Sequence, residues 1–122
     1  PMLAVFYALE GLSQLYNTLK IVRTNFIPSL DIEGKLFTMF DSRLNISNQV
    51  VKEVDRFFPN KIFQTKIPRN VRLSEAPSYG KPIMYYDKSS KGAEAYANLG
   101  HEILGEPVAV EKKRFGIFSR AK

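Results

Sequence analysis

The sequence predicts an α/β layered fold, a few parallel strands with helices against them. Two observations carry this. Stretches with apolar residues at three- and four-residue steps alternate with short apolar runs, in the order helix, strand, helix, strand, loop, helix. One of those runs, LFTMF at 36–40, is apolar at nearly every position, which suits a strand covered on both faces.

The first helix is expected over Tyr7–Phe26. Leu9, Leu12, Leu15, Tyr16, Leu19 and Phe26 form one apolar face, Gly11 weakens the helix locally, and Pro28 ends it. A strand follows over Ile32–Phe40 and breaks at Asp41 and Ser42. The second helix is expected over Asn45–Phe58, capped by Asn45 or Ser47. Ile46, Val50, Val54, Phe57 and Phe58 face inward, and Pro59 and Asn60 stop the helix. The alternation in KIFQTKI predicts a second strand over Lys61–Ile67, closed by Pro68. Residues 68–88 read as a long loop with Pro68, Pro77, Gly80 and Pro82, with room for a short strand at Ile83–Tyr85. A loop of that length in a small domain is usually functional. The last helix starts at Ser89 or Ser90 and runs to about Leu104, with Ala93, Tyr96, Ala97 and Ile103 on one side and Gly105 and Pro107 as stop signals.

With 122 residues, the chain has material for one modest core. There are no cysteines, which excludes disulfides, thiolate metal sites, iron–sulfur ligation and a Cys nucleophile. One histidine, His101, builds no zinc site alone and is expected at the surface near a helix end. No acid pair or Ser-His-acid set is recognisable, so no catalytic residue is assigned. The net charge of +6 is uneven. Residues 1–60 balance at six basic and six acidic, 61–91 hold seven basic and two acidic, and 111–122 hold five basic and one acidic. Two positive blocks suit a polyanion, either nucleic acid or an anionic membrane surface; the plainer alternative is a solvated face and an unstructured tail at 107–122.

Three stretches resemble the ParA/Soj partition ATPases: FYALEGLSQL (Phe6–Leu15), LFTMFDSRLNIS (Leu36–Ser47) followed by QVVKEV, and IPRNVRLSEAPSYGKPIMYYDKSSKGAEAY (Ile67–Tyr96). The resemblance runs over about residues 6–104 and implies a partial P-loop-NTPase-like fold, residues 1–106 matching the C-terminal half of the ATPase domain. The chain opens on Pro1 rather than Met, and two strands would leave a bare apolar edge. The expectation is therefore that an N-terminal half supplies the remaining strands, or that self-association covers the edge. Leu3 and Val5 stand where the family usually has Gln and Glu.

No GxxxxGK[ST] stretch occurs, so phosphate binding and ATP hydrolysis by this chain alone are not expected, although the complete family member uses ATP and Mg2+. The resemblance places Pro68, Arg69, Asn70 and Asp41 beside the adenine, and Arg43 and Arg72 on nonspecific DNA, with Lys66, Lys81, Lys88 and Lys91 widening the field. The competing reading makes the first four turn residues and pairs each arginine with an acid such as Asp41 or Glu75. Implied partners are nucleoid DNA, a ParB-type protein and a second copy, in a bacterial cytoplasm. The alternatives are a non-enzymatic self-associating or DNA-binding module, and a MinD-like membrane-associated relative, which the RFGIFSR tail resembles faintly.

Overall fold

The computed structural model describes the backbone of Met2–Leu3 and residues 7–59 and 61–106. Val5, Pro107 and the basic tail lie outside the described residues. The elements are β1 (Met2–Leu3), α1 (Ala8–Asn25), β2 (Phe37–Thr38), α2 (Asn45–Phe57), α3 (Val71–Glu75), a 3-10 helix (Ala76–Tyr79), α4 (Ile83–Tyr86) and α5 (Lys91–Ile103).

β1 pairs with β2 in parallel, Met2 opposite Phe37 and Leu3 opposite Thr38. On the other side, residues 35–40 pair with residues 61–69 through parallel bridges at Lys35–Ile62 and Phe40–Pro68. Parallel pairing therefore follows the sequence expectation, but regular strand is much shorter. Lys35 N–H donates to Lys61 O and Phe63 N–H to Lys35 O; the ladder resumes only where Ile67 N–H donates to Phe37 O (2.9 Å). The expected strand at Lys61–Ile67 is thus interrupted at Gln64–Lys66. The reason is a competing acceptor. The Glu102 carboxylate takes Gln64 N–H at 2.6 Å and Thr65 N–H at 2.9 Å, so these amides leave the ladder with their bonds satisfied.

Of the LFTMF run, Leu36 and Phe37 are covered on opposite faces as predicted, whereas Met39 is exposed and the strand expected over Ile32–Phe40 is regular only at Phe37–Thr38. Phe37 is fully buried with Leu12 of α1 and Val50 and Val54 of α2. Leu36 points the other way and is buried with Ile67 and with Ala95 of α5. Helices on both faces of parallel strands are the α/β arrangement.

Several helix faces differ from expectation. In α2 the buried side is Ser47, Val50 and Val54, with Val51 and Phe58 partly covered. This arc leaves Ile46 and Phe57 on its flank, and both are exposed; the Phe57 ring lies under the Arg56 guanidinium instead. Neither Asn45 nor Ser47 caps α2, because the N-cap position is Leu44. On α1, Leu15 and Phe26 are exposed, since Leu12 carries the contact with the core. On α5, Ala93 is buried as expected, but the inward stripe continues through Gly92, Ala95, Leu99 and Glu102, and Tyr96 and Ile103 are exposed. A Cβ at Gly92 would fall 2.5 Å from Leu73 Cγ, so glycine lets α5 approach α3 closely. Ser90 caps α5 as expected, its Oγ accepting from Ala93 N–H at 3.1 Å. Gly105 ends it at φ +72°, with Glu106 N–H on His101 O and Gly105 N–H on Glu102 O, the bond pair of a Schellman stop.

Residues 68–88 are mostly short helical turns rather than loop, and Ile83–Tyr85 is helical rather than strand. Prolines hide this in the sequence. Pro77 sits in the first turn of the 3-10 helix and Pro82 at the N-cap of α4, places where a missing N–H costs nothing. No helix among the described residues is long and apolar enough to cross a membrane.

Replacing Glu102 with Ala strands two amides and should destabilise the chain by about 1–2 kcal/mol in urea unfolding. Burial raises the Glu102 carboxyl pKa, but hydrogen bonds from Thr65 and Gln64 outweigh it and leave it below its ordinary value. This stabilisation is present above the unfolded value near 4.3 and is lost as pH falls through the lower folded one. The Ala variant should show a flatter acid limb. An unchanged limb would mean that Glu102 does not hold the displaced amides of Gln64 and Thr65.

Candidate functional site

The carboxyl ends of the paired segments converge at the Phe40–Pro68 bridge, where Phe40 N–H donates to Ile67 O at 3.0 Å and Arg69 N–H to Phe40 O at 3.3 Å. Asp41–Arg43 leave one segment and Pro68–Asn70 the other, so the fold brings all four predicted purine-side residues to one rim. Crevices at such strand ends are where open α/β sheets bind ligands. Just before the rim, Met39 has φ +51°, a left-handed backbone that costs a non-glycine residue about 1–2 kcal/mol. The Lys66 ammonium lies 5.5 Å from the Phe40 ring centroid.

Asp41 is committed to Arg43. Its Oδ1 accepts from Arg43 N–H at 3.0 Å and Nε at 2.9 Å, and its Oδ2 from the Arg43 guanidinium at 2.8 Å. These bonds, led by the side-chain one, hold the Asp41 carboxyl down at about 2, and Arg69 adds attraction. The Arg43 side chain is nonetheless 87% exposed. Pro68 is half-buried and Arg69 exposed. Asn70 precedes α3 as its N-cap residue but makes no side-chain cap bond. Its Oδ1 is buried without a hydrogen-bond partner among the described residues, an unusual state for a polar atom.

Arg72 belongs to a second cluster. It donates to Glu75 Oε2 at 3.1 Å and lies 3.3 Å from Asp87 Oδ2. The Tyr86 hydroxyl donates to Glu75 Oε2 at 2.6 Å, and the Tyr86 ring stacks on Tyr79 at 5.1 Å between centroids. Both arginines thus have the acid partners that the competing reading named, Asp41 and Glu75. Sequence reasoning missed Tyr86 and Asp87. Asp87 is tied into the start of α5 by bonds from Ser89 and Ser90, a local signal that the SS pair after Asp could have given. Lys81, Lys88 and Lys91 are exposed. His101 is exposed with Nδ1 at 2.6 Å from a Glu106 oxygen. No group of three or more His, Cys, Asp or Glu side chains converges among the described residues as a metal ion would need.

Curated relatives cover most of this chain. It is 54% identical over 104 residues to the chromosome partitioning protein ParA of Myxococcus xanthus, and 53% identical over 103 residues to the sporulation initiation inhibitor protein Soj of Bacillus subtilis. It is 46% identical over 104 residues to the chromosome-partitioning ATPase Soj of Treponema pallidum. The chain belongs to the ParA/Soj family. The matches take in 84–85% of this chain and 37–41% of those relatives' lengths. No family model matches it. Within this ParA/Soj segment, the rim carries the Asp41–Arg43 pair at the carboxyl ends of the strands, and the Arg72 cluster follows it in α3 and α4.

Carbon-detected NMR of the Asp41 carboxylate should give a midpoint near 2. Arg43→Ala should return it toward the ordinary value of about 3.9. The ion-paired form is thus complete above about 3.9 and is lost as pH falls through the folded midpoint. A wild-type midpoint at the ordinary value would show that Arg43 does not hold Asp41.

Proposed function

We propose that this chain supplies the purine-side rim and part of the DNA-facing surface of a ParA/Soj-type partitioning ATPase. The observation that supports this best is the Phe40–Pro68 pairing, which sets Asp41 and Arg43 beside Pro68, Arg69 and Asn70 at one end of parallel strands. The residues fit a purine edge. Asn70 carries an amide of the kind that pairs with a base edge, and Pro68 gives a flat apolar contact. They do not fit a triphosphate, because these 122 residues hold no GxxxxGK[ST] loop. ATP and Mg2+ therefore belong, on this reading, with residues of the kind found in the remaining length of the relatives. No step of hydrolysis is assigned to the side chains present.

For DNA, Arg43 is exposed and its pairing with Asp41 is solvent-facing, and Arg72 is 54% exposed. The guanidinium side of each pair is open to water, which screens the attraction, so a phosphate can compete with the carboxylate for it. Arg offers a planar fork suited to phosphate oxygens. Binding would be blind to sequence, stronger in an ATP-bound dimer that joins two patches, and relieved by a ParB-type partner, in a bacterial cytoplasm on the nucleoid. A chromosome is the cargo named for the relatives.

Fluorescence anisotropy with a short DNA duplex across a salt series tests the surface. The 122-residue chain should bind weakly, and Arg43→Ala and Arg72→Ala should each lower the slope of log K against log salt by about 1. Equal affinity and slope in both variants would remove the arginines from the interface. Adenosine titration should shift the Asn70 side-chain amide in NMR, and Asn70→Ala should abolish saturable binding. If Asn70 stays unmoved at saturating adenosine, the rim is structural only.

A further inference from the structure

At the opposite end of the same strands lies a cleft of about 550 Å³, walled by α1, by the 30–32 segment and by Lys35, Pro59 and Lys61. Lys35 begins the paired segment that Asp41 leaves, so the cleft and the rim are five to six residues apart, roughly 17–20 Å along a strand. The volume is in the range of sites for small organic ligands.

Its chemistry is one-sided. Lys20, Arg23, Lys35 and Lys61 line it, against one acid, Asp31. The sequence does not foreshadow this, since residues 1–60 are balanced and the four cations come from three separate stretches. Arg23, Lys61 and Lys35 are held in place. Arg23 Nε donates to Leu30 O, and its terminal nitrogen meets Asp31 Oδ1 at 2.7 Å. Lys61 meets Asp31 Oδ2. Lys61 also has φ +57°, a left-handed backbone at a residue with a Cβ, and such strain recurs at binding sites. Lys35 is 94% buried, because its relative exposure is 6%. Its Nζ donates to Phe58 O at 2.8 Å and lies 3.4 Å from the Tyr16 hydroxyl. Tyr16 gives the cleft a ring whose back packs on Phe58 at 4.6 Å between centroids.

We infer that this cleft is a binding site for a small phosphate monoester with a flat or apolar body, separate from the purine-side rim. Asp31 is the internal stand-in. It already occupies the anion seat between Arg23 and Lys61, and its side chain is 58% exposed, so a dianionic phosphate can displace it and gain Lys20 as well. A phosphate is favoured over a carboxylate because Arg23 and Lys61 already meet at one seat with Lys20 lining the same cleft, and one cation suffices for a single negative charge. The Tyr16 ring and the Leu19 and Ile32 side of the cleft take the apolar body.

The test is an NMR titration of the 15N-labelled 122-residue chain with phenyl phosphate and with inorganic phosphate at low salt. Saturable shifts at the amides of Lys20, Arg23, Ile32 and Lys61 are expected, with phenyl phosphate the tighter ligand. Asp31→Asn keeps the acceptor for Ile32 N–H but removes the competing charge, and should tighten binding about fivefold. Lys20→Glu, on the exposed face of α1, should weaken it by a similar factor, and Asp41→Asn at the far rim should change nothing. The opposite signs of the first two separate a built site from diffuse attraction. Shifts that stay linear, shifts equally large at Lys81, Lys88 and Lys91, or an Asp31→Asn variant that binds no better would overturn the inference. Failure here leaves the adenosine and DNA readings at the other end unaffected.

Discussion

The pairing of residues 35–40 with residues 61–69 is the constraint on which the rest of the structure depends. Phe37 and Leu36 point to opposite faces, so one short segment anchors both cores, α1 and α2 on one side and α5 on the other. A fully buried Phe contributes on the order of 3 kcal/mol through burial alone. The same pairing fixes both ends chemically. Its carboxyl end joins Asp41 to Pro68–Asn70, and its amino end brings Lys35 beside Lys61. Without it, the residues of either end belong to loops with no reason to meet.

The pairing is irregular, and the irregularity is compensated from a distance. Between Phe63 and Ile67 the chain carries more residues than the opposite segment can match, and Glu102 takes the displaced amides. The inward stripe of α5 thus ends in a carboxylate for a backbone reason. Met39 and Lys61, each with a left-handed backbone, lie within the pairing near its two ends. Bends placed there leave the buried middle undisturbed while redirecting side chains at the rim and at the cleft.

The main helices were legible because a 3.6-residue repeat is written locally in the side chains; α1, α2 and α5 fall within two residues of their expected ends at the termini described. Which part of an apolar arc is buried was less legible. Ile46 and Val50 look equivalent in sequence, and only the position of Phe37 decides between them. The strand at 61–67 was misread because its partner in hydrogen bonding sits 37–38 residues away, at Glu102. The turns in 68–88 were obscured by prolines that occupy positions where helices tolerate them. Of the rim, Asp41 and Arg43 are two residues apart and their pairing is nearly local, whereas the link of Arg72 to Asp87 needs the intervening turns to be helical.

The two ends of the strands treat charge in the same way. At the rim, Asp41 occupies Arg43; in the cleft, Asp31 occupies Arg23 and Lys61. Each carboxylate comes from a segment next to a strand end, and each pair is open to water on at least one side. A pair of that kind contributes little to folding, because water and salt screen it. It does keep the arginine extended and oriented, so an incoming phosphate meets a fork already in position rather than a free rotor. On the proposed reading this favours weak, reversible contact, since every phosphate gained displaces a carboxylate. Affinity then has to come from several such exchanges made together, which a single chain makes few of and an assembled dimer makes twice over.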